Sequence, residues 1–300
     1  MYDFSVIIPT YNRSAFLLEA AKSVLAQQEQ VELIIVDDAS TDRTAELVQE
    51  LIRENSNIVY LRNKKSLFAH GSRKRGYMEA QGKYIVFMDD DDYYIDNHFF
   101  SDAKRILDEY TEVSTVIGST VGVRDRKYGD PIDLGGNGLI PNREYFNGFL
   151  KEYSKPLSSL TAVFRKESLD AVGLAESKMI NDTCLYLRGI LNGDIYLLNK
   201  PVAAYRFHGS NISGNSFSLD FILATLNEKL NVYKYAKKAQ KLDDKADWLD
   251  RNLSISILYF LNTNKRDIKC ICGIFIWILL YGSGVQLVFL RKLIKKLLHK

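Results

Sequence analysis

Four short apolar runs recur in the first ninety residues: Val6-Ile7-Ile8, Leu33-Ile34-Ile35-Val36, Ile58-Val59-Tyr60-Leu61 and Tyr84-Ile85-Val86-Phe87-Met88. They are rich in β-branched and aromatic residues and do not alternate with polar ones, which is how a strand buried on both faces reads. Helix-like stretches over 14–28 and 42–54 separate them, the second with an apolar stripe of Leu47, Val48, Leu51 and Ile52. Strands alternating with helices predict βαβ units, a mostly parallel sheet, and helices on both faces through right-handed crossovers. A chain of 300 residues with 46% hydrophobic and 26% charged content can bury a large core, which excludes disordered and low-complexity classes.

Each of three runs leads into chemically capable residues: Pro9-Thr10-Tyr11-Asn12, Asp37-Asp38 and Asp89-Asp90-Asp91-Asp92. In open α/β sheets, ligands bind outside the carboxyl ends of the strands. Turn formation explains one Asp pair but not four consecutive aspartates. Adjacent carboxylates repel one another unless a cation compensates. Asp89 and Asp91 share a side if the chain stays extended there, with Asp90 and Asp92 on the other. Such a pair is a partial site for Mg²⁺ or Mn²⁺, completed by water and phosphate oxygens. The chain has neither a G-x-x-x-x-G-K-[ST] loop nor a G-x-G-x-x-G fingerprint, which argues against a P-loop kinase and a dinucleotide dehydrogenase.

The series 6–12, 36–42 and 82–92, in that order, resembles the family-2 glycosyltransferases with their GT-A fold, over about the first 210 residues. The resemblance implies a Rossmann-like α/β sheet and an inverting, metal-dependent transfer of a sugar from a nucleotide diphosphate, UDP by preference, to an acceptor hydroxyl. By position it implies that Pro9 and Tyr11 line the base pocket and that Asp38 hydrogen-bonds the base. It matches Arg73 to the arginine of the family's R-N-x-G stretch, sets Asp89 and Asp90 against ribose and donor sugar, and makes Asp91 the metal ligand. Three positions depart from the family pattern: Lys74 stands for an asparagine, Ala39 for a frequent glycine, and the loop 66–71 places its glycine late.

An inverting transfer needs a general base for the acceptor hydroxyl. Asn181-Asp182-Thr183, ahead of Leu185-Tyr186-Leu187, fits the family's place for it and makes Asp182 the candidate; the same residues also read as a helix N-cap. Asp170 and Glu176 are further acids without a matching motif. His208, in Arg206-Phe207-His208, resembles the family's R-x-H stretch, where a histidine can ligate the metal or touch the diphosphate. Residues 159–165 read as a strand of the acceptor side, and Gly135-Gly136-Asn137-Gly138 as a turn.

The formal charge of +3 argues against a nucleic-acid partner, and it hides an asymmetry. Residues 250–300 hold nine Lys/Arg against two Asp/Glu, so the tail is basic and the remainder mildly acidic. Residues 270–290 are nearly all apolar, yet Gly282-Ser283-Gly284 interrupts them, and Arg291, Lys292, Lys295, Lys296 and Lys300 follow. Leu290, Leu293, Ile294, Leu297 and Leu298 recur at helical spacing with lysines on another face, predicting a basic amphipathic helix on an anionic membrane surface. A membrane span over 270–290, about 31 Å as a helix, and helices packed on protein are the competing readings. Three scattered cysteines and a start without an apolar leader point to a reduced, cytoplasmic setting, and the basic tail to a peripheral place on the inner face of the cell membrane.

The expected organisation is a catalytic domain over 1–215 (nucleotide-sugar side 1–95, acceptor side 96–215) and a helical extension over 216–300. The expected partners are a nucleotide-sugar donor, a lipid-linked or growing glycan of a surface polysaccharide, and the membrane. The sequence does not decide between monomer and oligomer. A non-catalytic nucleotide-sugar-binding scaffold and a sugar nucleotidylyltransferase are the alternative readings.

Overall fold

The computed structural model describes residues 2–178, 181–209, 217–243 and 245–281. The chain forms two compact units, one of Met1–Tyr145 with Lys151–His208, the other of Phe146–Leu150 with the residues from Gly209 onward.

The first unit is a mixed α/β structure around one sheet. Its leading strands are β1 (Phe4–Thr10), β2 (Val31–Asp37), β3 (Ile58–Arg62) and β4 (Tyr84–Phe87), all parallel in the order β3-β2-β1-β4. Every residue of β1, β2 and β4 is buried, as the unbroken apolar runs require. Helices α1 (Ser14–Leu25), α2 (Thr44–Glu54), α3 (Phe68–Glu79) and α4 (Phe99–Glu109) belong to the same unit. Helix α1 buries Leu17, Ala20, Ala21 and Val24, the i, i+3, i+4, i+7 stripe of a core-facing helix. It stops short of residue 28: Gln27 N turns back to Val24 O (3.1 Å), and the Gln27 side chain donates to Asp96 O (2.8 Å) and accepts from Phe100 N (3.2 Å). Helix α2 starts two residues later than the pattern predicts, because the Asp42 carboxylate accepts from the Thr44 N–H at 3.0 Å.

The second half of the sheet is mixed. Long strands β6 (Val113–Arg124) and β10 (Asp194–Arg206) pair in parallel. The short strand β5 (Tyr93–Tyr94) runs antiparallel on β10, as does β8 (Gly138–Ile140), while β7 (Lys127–Pro131) forms a hairpin with β6. The link to the parallel half is β9 (Ala162–Arg165), antiparallel to both β4 and β6. It pairs with only two residues of β4, Tyr84↔Arg165 and Ile85↔Phe164. Residues 159–161, which the sequence assigns to this strand, instead make a 3₁₀ turn in which the Thr161 hydroxyl donates to Ser158 O (3.3 Å). Helices α5 (Asn142–Gly148), α6 (Lys166–Ala171) and α7 (Asp182–Gly189) complete the set described before residue 209.

The second unit contains α8 (Leu219–Lys238), α9 (Lys245–Thr263) and α10 (Ile268–Tyr281) around a core that includes Ile222, Leu226, Leu253, Ile257, Ile274 and Trp277. Trp248 stacks on Phe146 (4.8 Å, 7°) and donates its ring N–H to Phe146 O, which ties residues 146–150 into this unit. Among the described residues no helix is long and apolar enough to cross a membrane. The predicted Gly282-Ser283-Gly284 break and the amphipathic stretch over 290–300 lie outside the described residues.

Candidate active site

The strand order reverses between β1 and β4: β2 and β3 lie on one side of β1 and β4 on the other. That is where an open α/β sheet leaves a crevice at its carboxyl edge. The register brings Thr10 level with Asp37, and Asp38 N donates to Thr10 O at 2.9 Å. At the other flank Met88 N donates to Ile7 O (3.0 Å), so the aspartates after β4 emerge beside Thr10. The Thr10 hydroxyl donates to Asp90 at 2.7 Å.

Asp38 is the anchor of the first pocket. Its carboxylate accepts from Asn63 (2.7 Å), Ser66 (2.5 Å), the Leu67 N–H (2.7 Å) and Ser72 (3.0 Å). Burial alone would push its pKa up; the hydrogen bonds, led by Ser66 and the Leu67 N–H, outweigh burial and hold it below the usual carboxylate range. Pro9 is buried in β1 beside Val36, whereas the Tyr11 side chain is 53% exposed. Ala39, where the family often has glycine, sits at φ +67°, and Phe68 at φ +58°. Phe68 follows the Leu67 N–H that binds Asp38 and is 70% exposed, so a second aromatic ring stands open near that carboxylate.

The four aspartates do not alternate as an extended chain would. Asp92 N turns back to Asp89 O (3.4 Å), and this turn sends the carboxylates to separate partners. Asp90 and Asp91 both face Arg13, whose Nη1 donates to Asp90 Oδ1 (3.1 Å) and Asp91 Oδ2 (2.7 Å). His208 Nε2 lies 2.9 Å from that same Asp91 oxygen. Asp89 instead accepts from Arg73 Nη2 at 2.6 Å, and the same nitrogen reaches Asp182 at 3.3 Å. Asp92 accepts from Arg206 N (3.1 Å). Burial is the main cause that pushes Asp90 up to about 7, against the Thr10 and Arg13 contacts. Burial, then Asp91 and Asp89, push Asp92 well up.

Asp182 is the first residue of α7. The N-cap is its neighbour Asn181, whose side chain accepts from Cys184 N (3.0 Å), so the Asp182 carboxylate is not consumed by capping. Burial first and Asp89 second raise its pKa; Arg73 and Lys155 oppose them. Lys155 is itself lowered by burial, against the pull of Asp182 and Asp89, and its ammonium donates to Pro156 O at 2.9 Å. Asp170 accepts from Tyr77 (2.5 Å) and Lys166 (3.0 Å), and Glu176 lies by Gly173 and the Tyr77 side; neither has a contact with Asp89 or Asp91 among those the structure gives.

Of the residues singled out in the sequence, Arg73, Asp89 and Asp182 thus form one contact group, and Asp90, Asp91 and His208 a second. Arg13, Lys155 and Phe68 carry no sequence signal of their own. Arg13 reads as one more polar residue ahead of a helix until a contact spanning 78 positions shows what it neutralises.

Among the described residues no group of three or more His, Cys, Asp and Glu side chains is placed to hold a metal by itself. Asp91 and His208 nevertheless offer one carboxylate oxygen and one imidazole nitrogen side by side. An oxygen and a nitrogen of this kind suit a divalent ion, and the Arg13 guanidinium, 2.7 Å from the same Asp91 oxygen, already supplies positive charge there.

Residues 5–173 match the family described as glycosyl transferase family 2. TuaG of Bacillus subtilis strain 168, a glycosyltransferase named for teichuronic acid biosynthesis, is 28% identical over 217 residues, covering 71% of this chain and 82% of its own. The crystal structure of S. aureus TarS 1-349 with UDP-GlcNAc superposes with a TM-score of 0.73 at 23% identity, covering 95% of this chain and 81% of that one. A mannosyltransferase from Pyrobaculum calidifontis, solved with GDP-Man and Mn²⁺, gives 0.55 at 15% identity over 98% and 79%. These two structures establish the GT-A type of fold. The family match spans more than half of the chain, and with it the strand-end motifs: the chain belongs to glycosyl transferase family 2 and is a glycosyltransferase.

Proposed function

We propose that this enzyme transfers a sugar from UDP, with inversion, to a hydroxyl of a lipid-linked or growing surface glycan. The observation that carries this reading is the shared arginine: Arg73 touches both Asp89 and Asp182, so one of the two carboxylates assigned to ribose and donor sugar lies in one hydrogen-bonded cluster with the candidate base. Asp182 takes the proton of the acceptor hydroxyl as that oxygen attacks the anomeric carbon, and the bond to the diphosphate breaks on the opposite face. A raised pKa suits the role, because a base works best when its pKa approaches the operating pH. Arg73 holds the carboxylate in place and opposes the rise that burial and Asp89 impose. Asp38 is kept as an anion and rigid by four hydrogen bonds, three of them on Oδ1, which leaves Oδ2 to accept a base N–H, with Tyr11 against the ring and Pro9 in the pocket wall. Asp89 and Asp90 face ribose and sugar.

Asp91 and His208 would hold a divalent ion, which as a Lewis acid neutralises the charge that develops on the departing diphosphate. An imidazole in the donor set favours Mn²⁺ over Mg²⁺. UDP as carrier rests on the TarS neighbour, and the surface-polysaccharide acceptor on TuaG.

Replacing Asp182 by Asn keeps the shape and removes the base. Transfer should fall about 10²–10⁴-fold while UDP affinity, measured by calorimetry, stays near wild type. Wild-type turnover in Asp182→Asn overturns the assignment.

A further inference from the structure

Next to the aspartate turn lies a feature that the transfer chemistry leaves unused. The β6–β7 hairpin turns through Asp125 and Arg126, both left-handed (φ 50° and 63°), the geometry of a tight two-residue hairpin. Between this hairpin and the end of β10 is an open-sided cleft of about 550 Å³. Its walls are aromatic: Tyr128 is 58% exposed and Phe207 39% exposed. The edge of the Phe207 ring lies against Gly122, where a Cβ would come 2.7 Å from Cε2, so the absent side chain leaves room for the ring. Arg124 packs on the ring 5.4 Å from its centroid. The Tyr128 hydroxyl meets that of Tyr93 at 3.1 Å.

The cleft is continuous in sequence with the reaction centre at two points. Tyr93 follows Asp92, and Phe207 precedes His208, whose ring contacts Asp91. Exposed rings with a polar rim of Arg124, Lys127 and Asp130 suit a molecule that shows C–H faces and hydroxyl edges together, as a pyranose chain does. A nucleotide needs a phosphate cradle, and the donor side of the site lies instead at the ends of β1, β2 and β4.

We propose that this cleft is an acceptor subsite, in which pyranose units beyond the reacting one stack on Tyr128 and Phe207. The proposal rests on the glycosyl-transfer reading above and adds to it where the acceptor chain lies. Binding energy gathered at such remote units is available to hold the reacting hydroxyl in place.

The test uses the full chain and tetramers of β-linked glucose and of β-linked N-acetylglucosamine, each titrated against its monomer, with UDP titrated separately. At least one tetramer should bind wild type about tenfold more tightly than its monomer, and Tyr128→Ala should remove most of that gain. Phe207→Leu should weaken the gain as well, and Tyr128→Phe should keep it, since the ring face remains. UDP affinity should be the same in all forms, which also shows that the variants are folded. A tetramer that gains nothing over its monomer in wild type, or a gain that survives Tyr128→Ala, overturns the subsite. A wild-type chain that binds a tetramer in this way but not UDP overturns the UDP-donor reading and supports this one.

Discussion

Asp38 accepts four hydrogen bonds, and each donor comes from a different residue of the span 63–72. One carboxylate therefore organises the chain between β3 and α3. Its pKa lies below the ordinary 3.8, so the unfolded chain binds more protons than the folded one in the window just below that value. The stabilisation is complete above about pH 4 and disappears as pH falls through the folded-state pKa. Asp38→Asn should cost about 2 kcal/mol at pH 7 in urea unfolding, and the gap to wild type should narrow at pH 3. The aspartates were legible because acids at strand ends need a reason to be there. Their partners were not, since Arg13 meets Asp91 across 78 positions and Lys155 is an ordinary loop lysine in sequence. The order of the four aspartates was equally hidden: the Asp92-to-Asp89 turn pairs Asp90 with Asp91 where an extended chain would pair Asp89 with Asp91.

Helix α3 shows what an element contributes. It carries Ser72 toward Asp38 and Arg73 toward Asp89 and Asp182, although its apolar pattern is too weak to mark it in the sequence. Its register depends on Gly76, one turn beyond Arg73. A Cβ there would lie 2.5 Å from Ile7 Cγ2 and 3.1 Å from Val36 Cγ2, so β1 and β2 accept the helix only at glycine distance. Gly76→Ala should overpack this contact by about 1–3 kcal/mol and displace Arg73. A lowered Tm together with a fall in sugar transfer at permissive temperature is the expected result; a lowered Tm alone would separate the packing from the site. Strands β1 to β4 were readable because each carries an unbroken run of apolar residues, which full burial of β1, β2 and β4 demands. Strands β5, β7 and β8 were not, being short segments whose only signal is the neighbour they pair with.

At the scale of the molecule, the near-neutral total of +3 is a sum of unlike parts, a mildly acidic body and a basic tail. In the second unit α10 leaves Ile268, Ile276, Leu279 and Leu280 more than half exposed, and Phe275 37% exposed. These positions follow one another at helical spacing, and Lys265, Arg266 and Lys269 stand at the start of the helix. We infer that this face meets an anionic membrane surface. The full chain should float with vesicles containing phosphatidylglycerol and be released by salt, and Leu279→Glu with Leu280→Glu should abolish flotation without changing UDP affinity. Flotation unaffected by those changes would sink the idea. The composition of this region was readable, but which residues of α10 point outward was not, since an almost wholly apolar helix carries no mark of its buried side. Within the first unit, the strand β9 has a mechanical meaning. The parallel half of the sheet is joined to the mixed half through this four-residue strand, and on the β4 side by two residue pairs. Beyond them, the last residues of β4 run on toward the aspartate turn with no strand on that flank among the described residues. A sheet sewn by so short a seam has only two residue pairs to hold its halves together on the β4 side. The crevice beside the end of β4 is then a notch in the fabric of the sheet, bordered by a hem of four residues.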